Sequence, residues 1–190
     1  MFGGARGVVA QGERTTLRFP RAGDRAPFQR LRRANDAHLS PWSPARAPGR
    51  DPCSDGDFEA MVATSQSDSI QRLLICERSD GAVIGVVTLS EIVRGAFQNA
   101  YLGYWLDADH QGRGYMTEAL KLGLGYAFEQ LELHRVEANI MPSNRRSVAV
   151  VERLGFRKEG LSLRYLKLNG QWRDHERWAL TVEDWAIAAQ

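Results

Sequence analysis

Long apolar runs, paired cysteines and lysines are what this 190-residue sequence has little of. No stretch approaches the roughly 20 apolar residues of a membrane helix. The opening residues MFGGARGVVAQGERTT lack the continuous apolar core of a secretory signal. Two cysteines, Cys53 and Cys76, are too few for a disulfide framework and are not spaced as a metal-ligand pair, so two reduced thiols in a cytoplasmic protein are expected. His38, His110, His134 and His175 match no metal-site spacing, and no metal is expected. Hydrophobic residues at 43% and charged residues at 25% are ordinary for a soluble domain. A chain of this length buries enough apolar surface to hold together without staples. One domain over residues 14–190 is expected, after a flexible segment over residues 1–13.

The net charge of +2 hides an asymmetry. Residues 1–50 carry Arg6, Arg14, Arg18, Arg21, Arg25, Arg30, Arg32, Arg33, Arg46 and Arg50 against Glu13, Asp24 and Asp36, which leaves +7 there and −5 elsewhere. A basic quarter suits a weak contact with a ribosome or RNA. It equally suits a solvated helix face in a chain that uses three lysines against 22 arginines. No aromatic-plus-basic signature of an RNA-binding module is present.

The hydrophobic period changes along the chain. RTTLRF (14–19) alternates as a strand, and FQRLRRANDAHL (28–39) has helical spacing. Residues 40–52 hold Pro41, Pro44, Pro48 and Pro52, which excludes a long helix or central strand. Residues 55–65 read as a second helix capped by Ser54 or Asp55. Strands follow at 71–77, 82–93 and 99–107, the first two joined by Asp80-Gly81. A helix over 110–131, a strand over 134–141 and a helix over 143–156 come next. Two strands about Asn169-Gly170 close the chain. Meanders joined to strand–helix–strand units predict one mixed α/β sheet flanked by helices.

Gln111-Gly112-Arg113-Gly114-Tyr115 sits between a strand and a helix. Two glycines one residue apart let backbone approach a ligand, and the free N–H groups and dipole of the following helical turn suit a diphosphate. A dinucleotide fingerprint would need glycine where Thr117 stands, and no GK[ST] is present, so NAD and ATP are poor candidates.

This loop, with Asn144-Arg145-Arg146-Ser147 and Leu154-Gly155-Phe156, resembles the GNAT acyl-CoA N-acyltransferases, whose loop is Q/R-x-x-G-x-G/A. Gly112 and Gly114 stand at the glycine positions and Asp109 where Gln or Arg is usual. The runs His38-Leu39-Ser40-Pro41-Trp42-Ser43-Pro44, Tyr101-Leu102-Gly103-Tyr104 and Asn169-Gly170-Gln171-Trp172-Arg173-Asp174-His175 are similar to the RimJ-type ribosomal-protein alanine N-acetyltransferases. The resemblance implies a GNAT fold: one central, mostly antiparallel sheet with two splayed parallel strands. It implies acetyl-CoA as acyl donor, and an acceptor that is the N-terminal alanine of a small-subunit ribosomal protein. Alternatives are a small-molecule amine, another protein N-terminus, or a ribosome-associated assembly factor with little catalysis.

By the same resemblance, Tyr104, Trp105 and Leu106 edge the pantetheine slot, while Gln111, Gly112, Arg113, Gly114, Tyr115, Met116 and Thr117 hold the diphosphate. Asn144 binds the pantetheine amides, and Ser147, three residues on and on the same helix face, protonates the thiolate. Where some relatives carry a basic glutamate, Asn139 stands here, with Glu137 two residues before it on the same strand face. Trp42, Trp172 and Asp174, with Glu137, are the candidate acceptor-site residues.

Overall fold

The computed structural model describes residues 7–44, 51 and 53–188. Arg6, Arg46, Arg50, Pro48 and Pro52 of the sequence reading lie outside them. Eight strands form one sheet: β1 (Val8–Gln11), β2 (Thr15–Arg18), β3 (Ile70–Glu77), β4 (Val83–Val93), β5 (Asn99–Leu106), β6 (Arg135–Ile140), β7 (Arg157–Leu168) and β8 (Gln171–Thr181). Their spatial order is β1-β2-β3-β4-β5-β6-β8-β7, and β5–β6 is the one parallel pair. The helices are α1 (Arg25–Ala34), α2 (Asp36–Leu39), α3 (Asp55–Thr64), α4 (Tyr115–Gly125), α5 (Arg145–Arg153) and α6 (Val182–Ala188). A mixed sheet is what the strand order predicts, and the mostly antiparallel arrangement with one parallel join is what the resemblance implies.

The differences from that expectation are local. Residues 8–11, placed in the flexible segment, pair with β2 as strand β1. The helix expected over 28–39 starts at Arg25 and is interrupted at Asn35, whose side chain bonds Leu31 O, Asp107 and the Ala108 N–H. The helix expected from residue 110 begins at Tyr115 because a 3-10 turn, Ala108–His110, and the glycine loop come first, and it ends in a π turn, Tyr126–Gln130. The short helix α6 was not foreseen. Asn169 and Gly170 both take positive φ, +47° and +78°, as their hairpin turn requires.

Alternation along the strands divides the side chains between two faces. Ala100, Leu102 and Leu106 of β5 and Val136, Ala138 and Ile140 of β6 join a large core under α4 and α5, with Leu120, Leu124, Val148 and Val151. The opposite face holds a smaller core in which Phe28 of α1 and Phe58 of α3 pack on Leu74, Val86 and Trp105.

Charge holds the far edge of the sheet. Arg135 on β6 reaches over β8, where Ala179 leaves room opposite Glu137, and binds both carboxylate oxygens of Glu159 on β7. The Arg135 guanidinium pulls the Glu159 carboxyl down to about 2. Because that value lies below the unfolded one, the pair contributes stability above about pH 4.5 and loses it as pH falls toward 2. In thermal melts, wild type should lose Tm steeply over that window. Glu159→Gln should start lower at neutral pH, lose less over the window, and converge with wild type at its acid end. Parallel curves would contradict the assignment.

Candidate active site

The parallel pair is short. β5 and β6 are in register at Asn99–Arg135, Ala100–Val136 and Tyr101–Glu137 and nowhere beyond. β5 continues to Leu106, still paired with β4, and β6 continues to Ile140, still paired with β8. A gap therefore opens between the two strands after Tyr101. Backbone N–H and C=O groups of residues 102–106 that point away from β4 meet no strand, although such groups are normally paired when buried. The gap presents hydrogen-bonding backbone of the kind an extended ligand can use as a missing strand.

The glycine loop stands at the end of β5. Gly112 and Gly114 take φ of +72° and +84°, the left-handed region in which a side chain is strained. Gly114 is the N-cap of α4, and no side chain caps that terminus. The N–H groups of the first turn at Tyr115, Met116 and Thr117 face outward with the positive end of the helix dipole.

Residues distant in sequence hold this loop. Glu118 Oε1 accepts from the backbone N–H groups of Arg14 and Thr15 at 2.8 and 2.9 Å and from Thr15 Oγ1 at 2.9 Å. Arg14 returns Nε to Glu118 Oε2 at 3.1 Å and Nη1 to the Arg113 carbonyl at 2.7 Å, with its guanidinium over the Tyr115 ring. Backbone N–H donation keeps the Glu118 carboxyl below its usual range even though burial opposes this. The Tyr115 hydroxyl donates to Glu77 at 2.5 Å. Gln111 lies between His38 of α2 (2.5 Å) and Arg146 of α5, whose Nη1 donates to it at 2.7 Å. The loop-holding contacts of Arg14, Glu118, His38 and Arg146 were not legible in the sequence, because no spacing rule links positions that far apart.

At the far side of the gap, Asn144 caps α5: its Oδ1 accepts the Ser147 N–H at 3.2 Å. The Tyr104 hydroxyl spans from β5 to α5 and lies 2.6 Å from Ser147 Oγ. Tyr104 thus meets this site through its side chain as well as its backbone. Trp105 and Leu106 keep their side chains in the two cores, so they face the gap through backbone alone.

The acceptor-site candidates separate. Trp42 lines a surface cavity of about 440 Å³ with Ser40, Pro41, Met141, Ser143, Asn169 and Arg173, next to the end of β6 and so at the open end of the gap. An Asn169–Ser40 hydrogen bond of 2.9 Å and a Pro44–Leu168 bridge bring together two of the segments, distant in sequence, that line it. Trp172 is 60% exposed and is not in that lining. Asp174 accepts the Arg164 N–H at 2.7 Å and so fixes the β7 bulge, at which Arg164 takes a positive φ. Glu137 is 2% exposed, with Oε1 on Arg135 Nε at 2.9 Å and Oε2 on Arg177 Nη2 at 2.5 Å. Both Glu137 oxygens are therefore engaged by guanidiniums of neighbouring strands, and Glu137 is held within the sheet instead of lining the cavity with Trp42. Among the described residues no group of His, Cys, Asp and Glu could hold a metal ion.

Diverging parallel strands, with a glycine loop at the end of one and a capped helix at the end of the other, define an acyl-CoA-dependent transferase architecture. The acetyltransferase (GNAT) domain model matches residues 14–157, and the chain belongs to that family. It is an N-acetyltransferase whose co-substrate is acetyl-CoA. It is 37% identical over 155 residues to the [ribosomal protein uS5]-alanine N-acetyltransferase of Escherichia coli (strain K12), covering 80% of this chain and 79% of the relative. It is 49% identical over 106 residues to the "Probable N-acetyltransferase YjcK" of Bacillus subtilis (strain 168), covering 56% of this chain and 59% of that relative's length. Mycobacterium smegmatis RimJ in complex with CoA-disulfide superposes with a TM-score of 0.82 at 34% identity, covering 92% of this chain and 88% of the other.

Proposed function

We propose that the protein transfers the acetyl group of acetyl-CoA to the N-terminal α-amine of a protein, and that a ribosomal protein beginning with alanine is the acceptor; the name of the Escherichia coli relative, which gives a ribosomal-protein alanine as that enzyme's acceptor, supports this. The observation that carries this reading is the chemistry of the cavity beside the gap. Among the described residues its lining (Ala37, Ser40, Pro41, Trp42, Met141, Ser143, Leu168, Asn169 and Arg173) holds one cation and no carboxylate. A polyamine, with several ammonium groups, would need acidic partners there. A peptide end needs only an aromatic wall and hydrogen bonds to its backbone, and loses its single charge before reacting.

In this reading the gap takes the pantetheine arm against the backbone of Tyr104, Trp105 and Leu106, and the loop from Gln111 through Thr117 takes the diphosphate. Asn144, whose Oδ1 caps α5, fixes that helix start beside the arm. The amine nitrogen attacks the thioester carbon, a backbone N–H of β5 at Trp105 or Leu106 stabilises the oxyanion, and Ser147 donates to the departing sulfur. An α-amine has a pKa of about 7.7–8.0 against about 10.4 for lysine, so a useful fraction is neutral without help. That fits a site whose buried carboxylates among the described residues, Glu137 and Glu176, are already paired.

An RNA contact through the basic quarter is less well supported. Arg14, Arg18, Arg21, Arg25, Arg32 and Arg33 each face a carboxylate of this chain. No helix among the described residues is long and apolar enough to cross a membrane. A cytoplasmic location belongs to this reading because that is where a ribosomal-protein acceptor is met.

The loop assignment is tested by Gly112→Val. A Cβ there would touch nothing within 4 Å in the free protein, so the cost is the positive φ, about 1–2 kcal/mol. The variant should stay folded and bind acetyl-CoA at least tenfold more weakly in calorimetry. Equal affinity would remove the loop from the site.

The acceptor assignment is tested with two peptides that differ in α-amine pKa. Their kcat/KM profiles should rise over about pH 7–8.5, displaced by that difference. Coincident profiles would reveal an enzymatic base, and a polyamine outcompeting both peptides would replace the acceptor class.

A further inference from the structure

The Tyr104 hydroxyl is held between two oxygens of one residue, Ser147 Oγ at 2.6 Å and the Ser147 carbonyl at 3.3 Å. A phenol has one proton to donate. The shorter and stronger contact is to Oγ. A serine hydroxyl that accepts this proton still has its own, and that O–H must point away from Tyr104. Ser147 stands in the first turn of α5, and its N–H is already bound to Asn144 Oδ1, so the helix start fixes where the second proton is aimed.

We infer that Tyr104 is a positioning residue: by donating to Ser147 Oγ it turns the serine O–H toward the sulfur of acetyl-CoA, and the pair stabilises the departing thiolate by hydrogen bonding without giving up a proton. The inference rests on the assignment of Ser147 to the leaving group made above.

The acidities require a hydrogen bond here and oppose a proton transfer. Burial pushes the Tyr104 phenol up to about 12, while a thiol lies near 8.5. Moving the phenol's proton, relayed by Ser147, onto the thiolate would run strongly uphill. In the step proposed, the amine nitrogen forms its bond to the acyl carbon and the carbon–sulfur bond breaks, with its electron pair staying on sulfur. The nitrogen loses its proton to water, and the thiolate leaves hydrogen-bonded to Ser147, taking a proton from water once released. Both hydroxyls end as they began.

A double-mutant cycle with Tyr104→Phe, Ser147→Ala and both together tests this, at saturating acetyl-CoA and with chemistry rate-limiting. Ser147→Ala should lower kcat by up to about a hundredfold, the worth of a hydrogen bond to a charged acceptor. Tyr104→Phe should lower it by about three- to tenfold with acetyl-CoA affinity unchanged. The double variant should match Ser147→Ala alone.

Calorimetry supplies a readout apart from turnover. Above the thiol's pKa, wild type should bind CoA about ten- to a hundredfold more tightly than desulfo-CoA, the worth of a hydrogen bond to a charged acceptor. Ser147→Ala should abolish that preference and Tyr104→Phe reduce it. Ser147→Thr, which keeps the hydroxyl and leaves β5 untouched, should retain it. Additive kcat losses, or a Tyr104→Phe variant with kcat unchanged or raised, would overturn the coupling while leaving Ser147 in place. Full kcat in Ser147→Ala would overturn the assignment of Ser147 itself and the inference with it.

Discussion

The structure turns on a parallel strand pairing that stops. β5 and β6 share three residue pairs and then separate, while each stays bonded to an antiparallel neighbour on its other side. A sheet can tolerate such a split only if both halves are stable without the missing ladder. The β1–β5 half is supported by the small core of Phe28 and Phe58 on one face and by α4 on the other. The β6–β8–β7 part has few strands and a bulged, exposed outer strand, and its charged groups do more of the work. Arg135 and Arg177 grip Glu137, and Arg135 also reaches Glu159. These contacts lie on the opposite face to α4 and α5 and leave the slot between the halves clear.

The same economy of charge governs the chemistry. Carboxylates close to the slot are engaged: Glu118 by Arg14 and Thr15, Glu137 by two arginines, Asp174 by a backbone N–H. What remains to act on a ligand is mainly backbone N–H, hydroxyl and amide. Such a site favours an acceptor that deprotonates readily on its own, and it works by orientation more than by acid–base strength. Glu118 matters indirectly, because it ties the start of β2 to the start of α4 and so fixes the loop that precedes the helix.

Much of this was legible in the sequence where the signal is local. Strand periods, the Asn169-Gly170 turn and the paired glycines at 112 and 114 each follow from one short segment, and each falls where expected. The splayed pair came from resemblance, since nothing in residues 99–107 or 134–141 reveals that their pairing ends. Contacts between distant segments were not legible. Asp174 and Glu137 stand out in the sequence as acceptor-site candidates, and only the fold shows the bulge N–H and the two guanidiniums that claim them. Tyr104 and Ser147 were each singled out, for different reasons, and only the gap geometry joins them. Residues 8–11 looked mobile because glycine precedes them, yet pairing with β2 makes them a strand.

The central claim is that the unpaired backbone between β5 and β6 is the acyl-CoA slot. Amide hydrogen exchange with and without CoA tests it most directly, because it reads each backbone N–H. The account predicts new protection on binding at residues 102–106 and across the loop and first helical turn at 112–117. Residues 99–101, already paired with β6, should change little. Protection confined to other strands, or none at 102–106 under saturating CoA, would contradict it.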